Sequence, residues 1–171
     1  MEKLVAADPS NTAWQRDLSV AHEKIGGVLK AWGDLNGALT EYRANLAIME
    51  RLVVADPLNA GWQRDLMVSH GRVGEVLEMQ GNLDEALTEY HAGLVIIERL
   101  AASDASNAEW QRDLWVTYSL IAAALENSGD SSAIEWWQRT YDVFSDMKRA
   151  GMDISPADEQ YYQWLRQKLG Y

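Results

Sequence analysis

Cysteine is absent from this 171-residue chain. Its absence excludes disulfide bonds, thiolate metal ligands and cysteine nucleophiles. A chain without cysteine also fits a reducing compartment, so we expect a cytoplasmic protein. Long uncharged apolar runs are missing too, and the N-terminus, MEKLVAADPSN, has no basic region leading into an apolar stretch. We therefore expect no segment that targets or spans a membrane.

Basic residues are scarce relative to acidic ones. Lysine and arginine number 15 against 26 aspartates and glutamates, which gives a formal net charge of -11 at pH 7. No cluster of lysine or arginine interrupts this excess of negative charge. Such a chain repels polyphosphate and anionic lipid, so we expect neither nucleic acid nor a membrane surface as a partner. The hydrophobic fraction of 47% is nevertheless enough for a continuous core.

An internal repeat dominates the sequence. The segment WQRDL begins at Trp14, Trp62 and Trp110, so both intervals are 48 residues. Its surroundings repeat as DPSNTAWQRDLSVAH, DPLNAGWQRDLMVSH and, more loosely, DASNAEWQRDLWVTY. The match continues through GDLNGALTEYRANLAI and GNLDEALTEYHAGLVI. A fixed period of this size predicts a stacked repeat array, and the third copy departs most, as terminal repeats commonly do.

Each copy is predicted to form two helices. In the first copy, apolar residues step by threes and fours along two stripes, one per helix: Trp14, Leu18, Ala21, Ile25, Val28, Leu29 and Trp32, then Leu35, Leu39, Tyr42, Leu46, Met49 and Val53. Asn11 is the predicted N-cap of the first helix, and Gly33 ends it. Asp56-Pro57 ends the second helix. The short connection predicts an antiparallel hairpin, and neighbouring hairpins must stack to bury both stripes.

The array divides into five segments. Residues 1–10 are interpreted as the remnant of a preceding repeat, because MEKLVAADP matches MERLVVADP at 49–57. The three copies then cover residues 11–57, 58–105 and 106–151. Residues 155–170 are predicted to form a capping helix with serine at the N-cap and proline at the first helical position. We expect this helix to mark a natural C-terminal end, and residues 1–10 to mark a longer array or a lost first helix.

Aligned on the turn glycines Gly33, Gly81 and Gly129, each copy resembles a tetratricopeptide repeat (TPR). The matching positions are a small residue inside the first helix, a small residue opening the second helix and an aromatic residue within it: Gly26 and Gly74, Ala38 and Ala86, Tyr42 and Tyr90. The usual TPR period is about 34 residues, so each helix here gains about two turns. The chain is therefore similar to long TPR variants, such as those of kinesin light chains and related bacterial arrays.

This resemblance implies an all-α fold. The expected architecture is a TPR-like right-handed superhelix of three antiparallel helix pairs plus a C-terminal capping helix. Its concave face, lined by the first helices, would hold a peptide or a helix of a partner protein. The family shares a scaffold and not a partner, so the resemblance does not identify the ligand.

No residue pattern in the chain predicts catalysis. The sequence has no glycine-rich phosphate loop, no serine elbow and no His-Glu helix motif. His22 and His70 occupy equivalent repeat positions, Tyr118 takes that place in the third copy, and His91 lies on a different helix. Zinc commonly needs three or four convergent ligands, so we expect packed or half-buried histidines, no metal, no cofactor and no enzyme activity.

Aromatic residues fall into two groups. Trp14, Trp62 and Trp110 recur with the repeat and lie on the apolar stripe, so we expect them in the core. Trp115 is different, because its repeat equivalents are Ser19 and Met67. It lies on the flank that leads toward the expected concave face, and we consider it a candidate binding residue.

One ladder of cations is constant across the copies: Arg16, Arg64 and Arg112. Stacked helices lie about 8 to 10 Å apart, which is close to three residues of an extended peptide. An acidic peptide could therefore meet successive guanidinium groups. The alternative is that these arginines pair with acids of adjacent repeats, at Asp17, Asp65 and Asp113.

The leading hypothesis is a protein-interaction scaffold from a larger bacterial protein. The candidate partner-binding residues are Arg16, Arg64, Arg112, Lys24, Lys30, Arg72, Glu75, Met79, Trp115 and Leu120. The alternative is a structural or self-association element of a larger multidomain protein. For that role we expect a homodimer through the N-terminal repeat, with Val28 and Trp32 in the contact.

Overall fold

The computed structural model describes Asp8 and residues 11–171. Within those residues the secondary structure is seven α-helices without a strand, in the order α1 Thr12–Ala31, α2 Leu35–Ala55, α3 Ala60–Met79, α4 Leu83–Ser103, α5 Ala108–Asn127, α6 Ala133–Arg149 and α7 Pro156–Leu169. The all-α prediction is confirmed, and so is the pairing of consecutive helices. The predicted remnant at residues 1–10 lies outside the described residues except for Asp8.

Each first helix begins at an asparagine cap. The side-chain oxygen of this asparagine accepts a hydrogen bond of 3.1 Å from the backbone N–H three residues further on, in the pairs Asn11 and Trp14, Asn59 and Trp62, and Asn107 and Trp110. These bonds satisfy N–H groups that have no partner inside the helix. Each first helix then runs unbroken for 20 residues, as the long-repeat alignment requires.

Glycines in the left-handed region form the hairpin turns. Gly33, Gly81 and Gly129 have φ values of 82°, 83° and 76°. A side chain at such φ values is strained, so glycine is the favoured residue after the last helical turn. The chain reverses at once into the second helix, and the two helices of a copy run antiparallel.

The chain divides into two compact units, one ending at Gly93 and the other starting at Leu94. In the first unit, α2 packs against both α1 and α3. Glycine allows the close approach of the two helices within a copy, because a Cβ at Gly26 would lie 2.8 Å from the Tyr42 ring. In the second copy, a Cβ at Gly74 would lie 2.5 Å from the Tyr90 ring. The residues that carry the TPR resemblance are thus contact partners.

The apolar stripe of α1 is only partly buried. Val28 is 47% exposed and Trp32 is 79% exposed, whereas Val76, the equivalent of Val28 in α3, is fully buried. The buried side of α1 instead holds the small and polar residues Gln15, Ser19 and Gly26. The first copy therefore has an open apolar face where the second copy has a packed one.

In the second unit, α6 packs against both α5 and α7. Its core combines Trp115, Phe144, Met147 and Tyr162. Ser155 is the N-cap of helix α7, and its hydroxyl accepts a hydrogen bond from the backbone N–H three residues on. Ser155 follows the cap Asn107 by 48 residues, the repeat interval. The capping helix thus starts where the first helix of a further copy would start.

Candidate partner-binding surface

A pocket of about 210 Å³ lies between α1 and α3, with α2 contributing to its wall. Its lining residues are Arg16, Ser19, Val20, Glu23, Asn45, Met49, Asp65, Val68, Ser69 and Arg72. All of them belong to the first unit. Two of the lining residues, Arg16 and Arg72, are among the predicted partner-binding residues. The pocket therefore includes part of the predicted partner-binding surface.

Buried polar side chains form the inner part of this pocket. Asn45 is 5% exposed and Ser19 is 3% exposed. The Asn45 Nδ2 donates to the backbone oxygen of Ser19 at 3.0 Å and to its Oγ at 2.7 Å. Ser69, also buried, donates its hydroxyl to the backbone oxygen of Asp65, one turn earlier in α3. Ser19, Asn45 and Ser69 thus form a polar floor of the pocket.

Two cations and two acids also line the pocket, beside three apolar side chains. Arg16 Nη2 lies 4.0 Å from Asp65 Oδ2. Seven residues further along each helix are Glu23 and Arg72, which two helical turns place about 10 Å from the first pair. Burial raises the pKa of the Asp65 carboxyl; Arg16 and Arg64 oppose this increase, and Glu23 adds to it. With all four groups ionised, the charges in the pocket balance.

The position of Ser19 is a packing position in every copy. Its equivalents Met67 and Trp115 are also buried, and each faces the second helix of its own copy. In the second copy, Gly93 takes the place of Asn45, and a Cβ there would lie 3.6 Å from the Met67 Cγ. A large residue on the first helix thus accompanies a small one on the second. The polar Ser19–Asn45 pair lines the pocket, whereas the equivalent Met67 and Gly93 are not among its lining residues.

The prediction that Trp115 binds a partner is therefore wrong. Trp115 is 5% exposed, and its ring centroid lies 4.9 Å from that of Phe144 and 5.3 Å from that of Tyr161. The capping helix supplies Tyr161 and covers this flank. Trp115 stabilises the core of the second unit and offers no surface to a ligand.

The arginine ladder has different partners in different copies. Arg112 makes a bidentate ion pair with Asp158 of the capping helix, with Nε to Oδ2 at 2.9 Å and Nη2 to Oδ1 at 3.0 Å. Its guanidinium also lies 5.6 Å from the centre of the Trp115 ring. Arg16 pairs with Asp65 of the next copy, as the structural alternative predicted, but at a longer distance. Arg64 contributes to the electrostatic surroundings of the same carboxyl.

The remaining candidate residues are distributed over the first helices. Lys30 and Arg72 both contact Glu75, at 2.7 Å and 3.5 Å. Lys24 and Met79 are exposed, and Leu120 is half-buried. Val28 and Trp32 lie on the open apolar face of α1. The pocket itself thus includes Arg16 and Arg72 from the predicted set, while its polar floor was not predicted.

Half-buried His–Glu pairs join the two helices of the first two copies. His22 Nδ1 lies 2.6 Å from Glu41 Oε2, and His70 Nδ1 lies 2.7 Å from Glu89 Oε2. Tyr118 takes the place of the histidine in the third copy, and its hydroxyl donates to Glu98 on the last helix of the preceding copy, at 2.9 Å. The predicted half-buried packing role fits this geometry. The repeated TEY segment, which places Glu41 and Glu89 beside the packing tyrosines, was the available signal for these partners.

The glutamine of WQRDL has a structural role that the sequence analysis missed. Gln63 donates its side-chain N–H to the backbone oxygen of Pro57, and Gln111 donates to that of Ala101 at 3.2 Å. The Gln63 bond connects α3 to the turn that follows α2, and the Gln111 bond connects α5 to the last turn of α4. Carbonyl groups in the last turn of a helix have no partner within the helix, and Gln111 satisfies one of them at Ala101.

No cluster of three or more potential metal ligands occurs within the described part of the chain. Across that same part, every helix is too short or too polar to cross a membrane. Comparison with protein-family models gave no matching family, and comparison with curated proteins gave no matching relative. The geometry of the repeat array is accordingly the basis for a functional proposal.

Proposed function

We propose that this chain is a TPR-like protein-interaction scaffold of a larger bacterial, cytoplasmic protein. It binds a peptide or a helix of a partner protein on the concave face of a right-handed superhelix, along the first helices, and has no catalytic role. The observation that carries this proposal is the pocket between α1 and α3, where charged and buried polar groups surround a space of about 210 Å³. A repeat scaffold holds its first helices at fixed spacing, so successive side chains can contact successive residues of a ligand.

Matched double variants test this proposal. Glu23→Ala with Arg72→Ala removes one acid and one cation from the pocket, and Glu50→Ala with Arg51→Ala makes the same change on exposed positions of α2. Proteins captured from the native lysate by the immobilised chain are identified by mass spectrometry, and calorimetry then measures their affinities. We expect the pocket variant to bind its partner at least about tenfold more weakly and the α2 variant to bind it normally. Equal affinities for the two variants would contradict the proposal.

The open face of α1 supports a second candidate function, self-association. Ile25, Val28 and Trp32 form an exposed apolar stripe, while the equivalent Val73 and Val76 in α3 are fully buried. Apolar positions that the second copy buries are exposed in the first. The simplest occupant is the same face of a second copy of the chain, related by a two-fold axis.

Sedimentation across a concentration series tests self-association. We expect concentration-dependent dimers that Val28→Glu abolishes, because a carboxylate in an apolar contact loses its hydration. Val95→Glu is the control, since Val95 is also exposed but lies on α4. A monomer at every concentration would exclude this role. So would dimers that persist in the Val28 variant.

A further inference from the structure

The pocket between α1 and α3 presents one donor and one acceptor side by side. A side-chain amide has two N–H donors, and both donors of Asn45 are used by the backbone oxygen and Oγ of Ser19. The Ser19 hydroxyl accepts in this arrangement, so its own proton is left to donate. Within residues 11–171, the Asn45 Oδ1 makes no hydrogen bond to the protein.

Charge and burial narrow the chemistry of the ligand. Arg16 and Arg72 balance Glu23 and Asp65, so a carboxylate or an ammonium group inside the pocket would meet no excess of opposite charge. Moving an unbalanced ion next to buried groups is costly. An apolar group is also disfavoured, because it would leave the acceptor of Asn45 and the donor of Ser19 without partners. An uncharged group with one donor and one acceptor satisfies both.

We propose that this pocket holds the side-chain carboxamide of a glutamine or asparagine in the bound partner segment. The carboxamide donates to Asn45 Oδ1 and accepts from the Ser19 hydroxyl. This assignment rests on the proposed scaffold function and names the residue class that the pocket selects. The volume of about 210 Å³ exceeds the roughly 150 Å³ of a cavity that holds benzene, so such a side chain fits.

The chain itself supplies a version in which this polar pair is absent. The second copy has Met67 and Gly93 where the first has Ser19 and Asn45, and a Cβ on Gly93 would lie 3.3 Å from the backbone oxygen of Met67. The double change Ser19→Met with Asn45→Gly copies this packed solution into the first copy. It fills the pocket and removes both hydrogen-bonding groups, while it uses residues that the same fold already accommodates.

The experiment titrates the full chain, labelled with ¹⁵N, with N-acetyl-glutamine N-methylamide as the probe. The glutamate and norleucine analogues serve as charged and apolar comparisons of similar size. We expect the glutamine probe to bind with millimolar affinity, to shift the backbone signals of Ser19 and the side-chain amide signals of Asn45, and to bind about tenfold or more tightly than either analogue. In the double variant the affinity should fall at least about tenfold.

A second variant keeps the test valid if the double variant at Ser19 and Asn45 fails to fold. Val20→Trp blocks the pocket from an exposed position and leaves the buried pair intact, so it should also remove probe binding without loss of stability. The inference is overturned if the glutamine probe gives no saturable shifts. It is also overturned if either analogue binds equally well, or if binding survives in both variants. These titrations need no partner protein, so their failure is distinct from a failure of the Glu23 and Arg72 experiment.

Discussion

Val28 and Val76 are the same residue type at equivalent positions, and they offer a direct test of how the copies stack. Val76 in α3 is fully buried in the first unit, whereas Val28 in α1 is 47% exposed. Replacing either by alanine removes the same two methyl groups from the middle of a first helix. Any difference in the free energy of unfolding therefore reports the surroundings of the residue and not its chemistry.

The magnitudes follow from burial. Two buried carbon groups at about 0.8 kcal/mol each, plus a cavity contribution, give a loss of about 2 to 3 kcal/mol for Val76→Ala. Val28 is half exposed, so its methyl groups gain much less free energy from burial than those of Val76. Alanine also has a higher helix propensity than valine, by a few tenths of a kcal/mol. We therefore expect Val28→Ala to change stability by less than about 0.5 kcal/mol.

Urea titration of both variants, followed by circular dichroism at low protein concentration, measures the difference. Low concentration matters because a dimer through α1 would bury Val28 and add to its apparent contribution. If Val28→Ala destabilises the monomer by about 2 kcal/mol or more, as expected for a buried site, the conclusion that this face of α1 is open is wrong. A loss near zero for Val76→Ala would instead contradict the complete burial of Val76.

Two further predictions concern the second unit. Trp115→Ala should lower the free energy of unfolding, measured by denaturant titration, by about 3 to 5 kcal/mol, because the Trp115 ring packs against Phe144 and Tyr161. A loss below about 1 kcal/mol together with weakened partner binding would instead support Trp115 as a ligand contact. The hydrogen bonds from Arg112 hold the pKa of the Asp158 carboxyl below its usual range. The stability that these bonds add is therefore fully present above a pH of about 4, where an unperturbed aspartate ionises. It is lost as the pH falls through the lowered pKa. Asp158→Asn should therefore cost about 1 to 3 kcal/mol at pH 7 and reduce the acid sensitivity of thermal unfolding, whereas an unchanged pH profile would mean that this ion pair does not stabilise the capping helix.

The helices and their ends could be predicted because their causes are local. Asn11 caps α1 by a hydrogen bond to the backbone N–H three residues further on. Gly33 ends α1 because glycine tolerates the positive φ that the turn requires. The repeat then multiplies each local signal threefold, which is why the helix boundaries agree with the sequence analysis. The pairing of helices follows from the short turns and needs no information from distant parts of the chain.

The polar pocket could not be predicted, since it depends on a pair of residues 26 positions apart. Ser19 alone looks like a surface residue next to the apolar stripe, and Asn45 alone looks like a polar interruption of α2. Their hydrogen bonds form only when α1 and α2 are packed at a particular register. Periodicity along one helix indicates which face is apolar, but not whether another helix covers that face or which of its residues it meets.

The error over Trp115 has the same origin and shows how variation among the copies should be interpreted. Ser19, Met67 and Trp115 differ as ligand contacts would, yet each is buried against its own second helix. Variation that is matched by a change on the paired helix is therefore a packing difference, and at Ser19 and Asn45 it also changes the lining of the pocket. By contrast, Ala31 and Met79 are exposed at equivalent positions of α1 and α3, so packing imposes no matching change there. Exposed variable positions of this second kind are where differences between copies can serve the recognition of a partner.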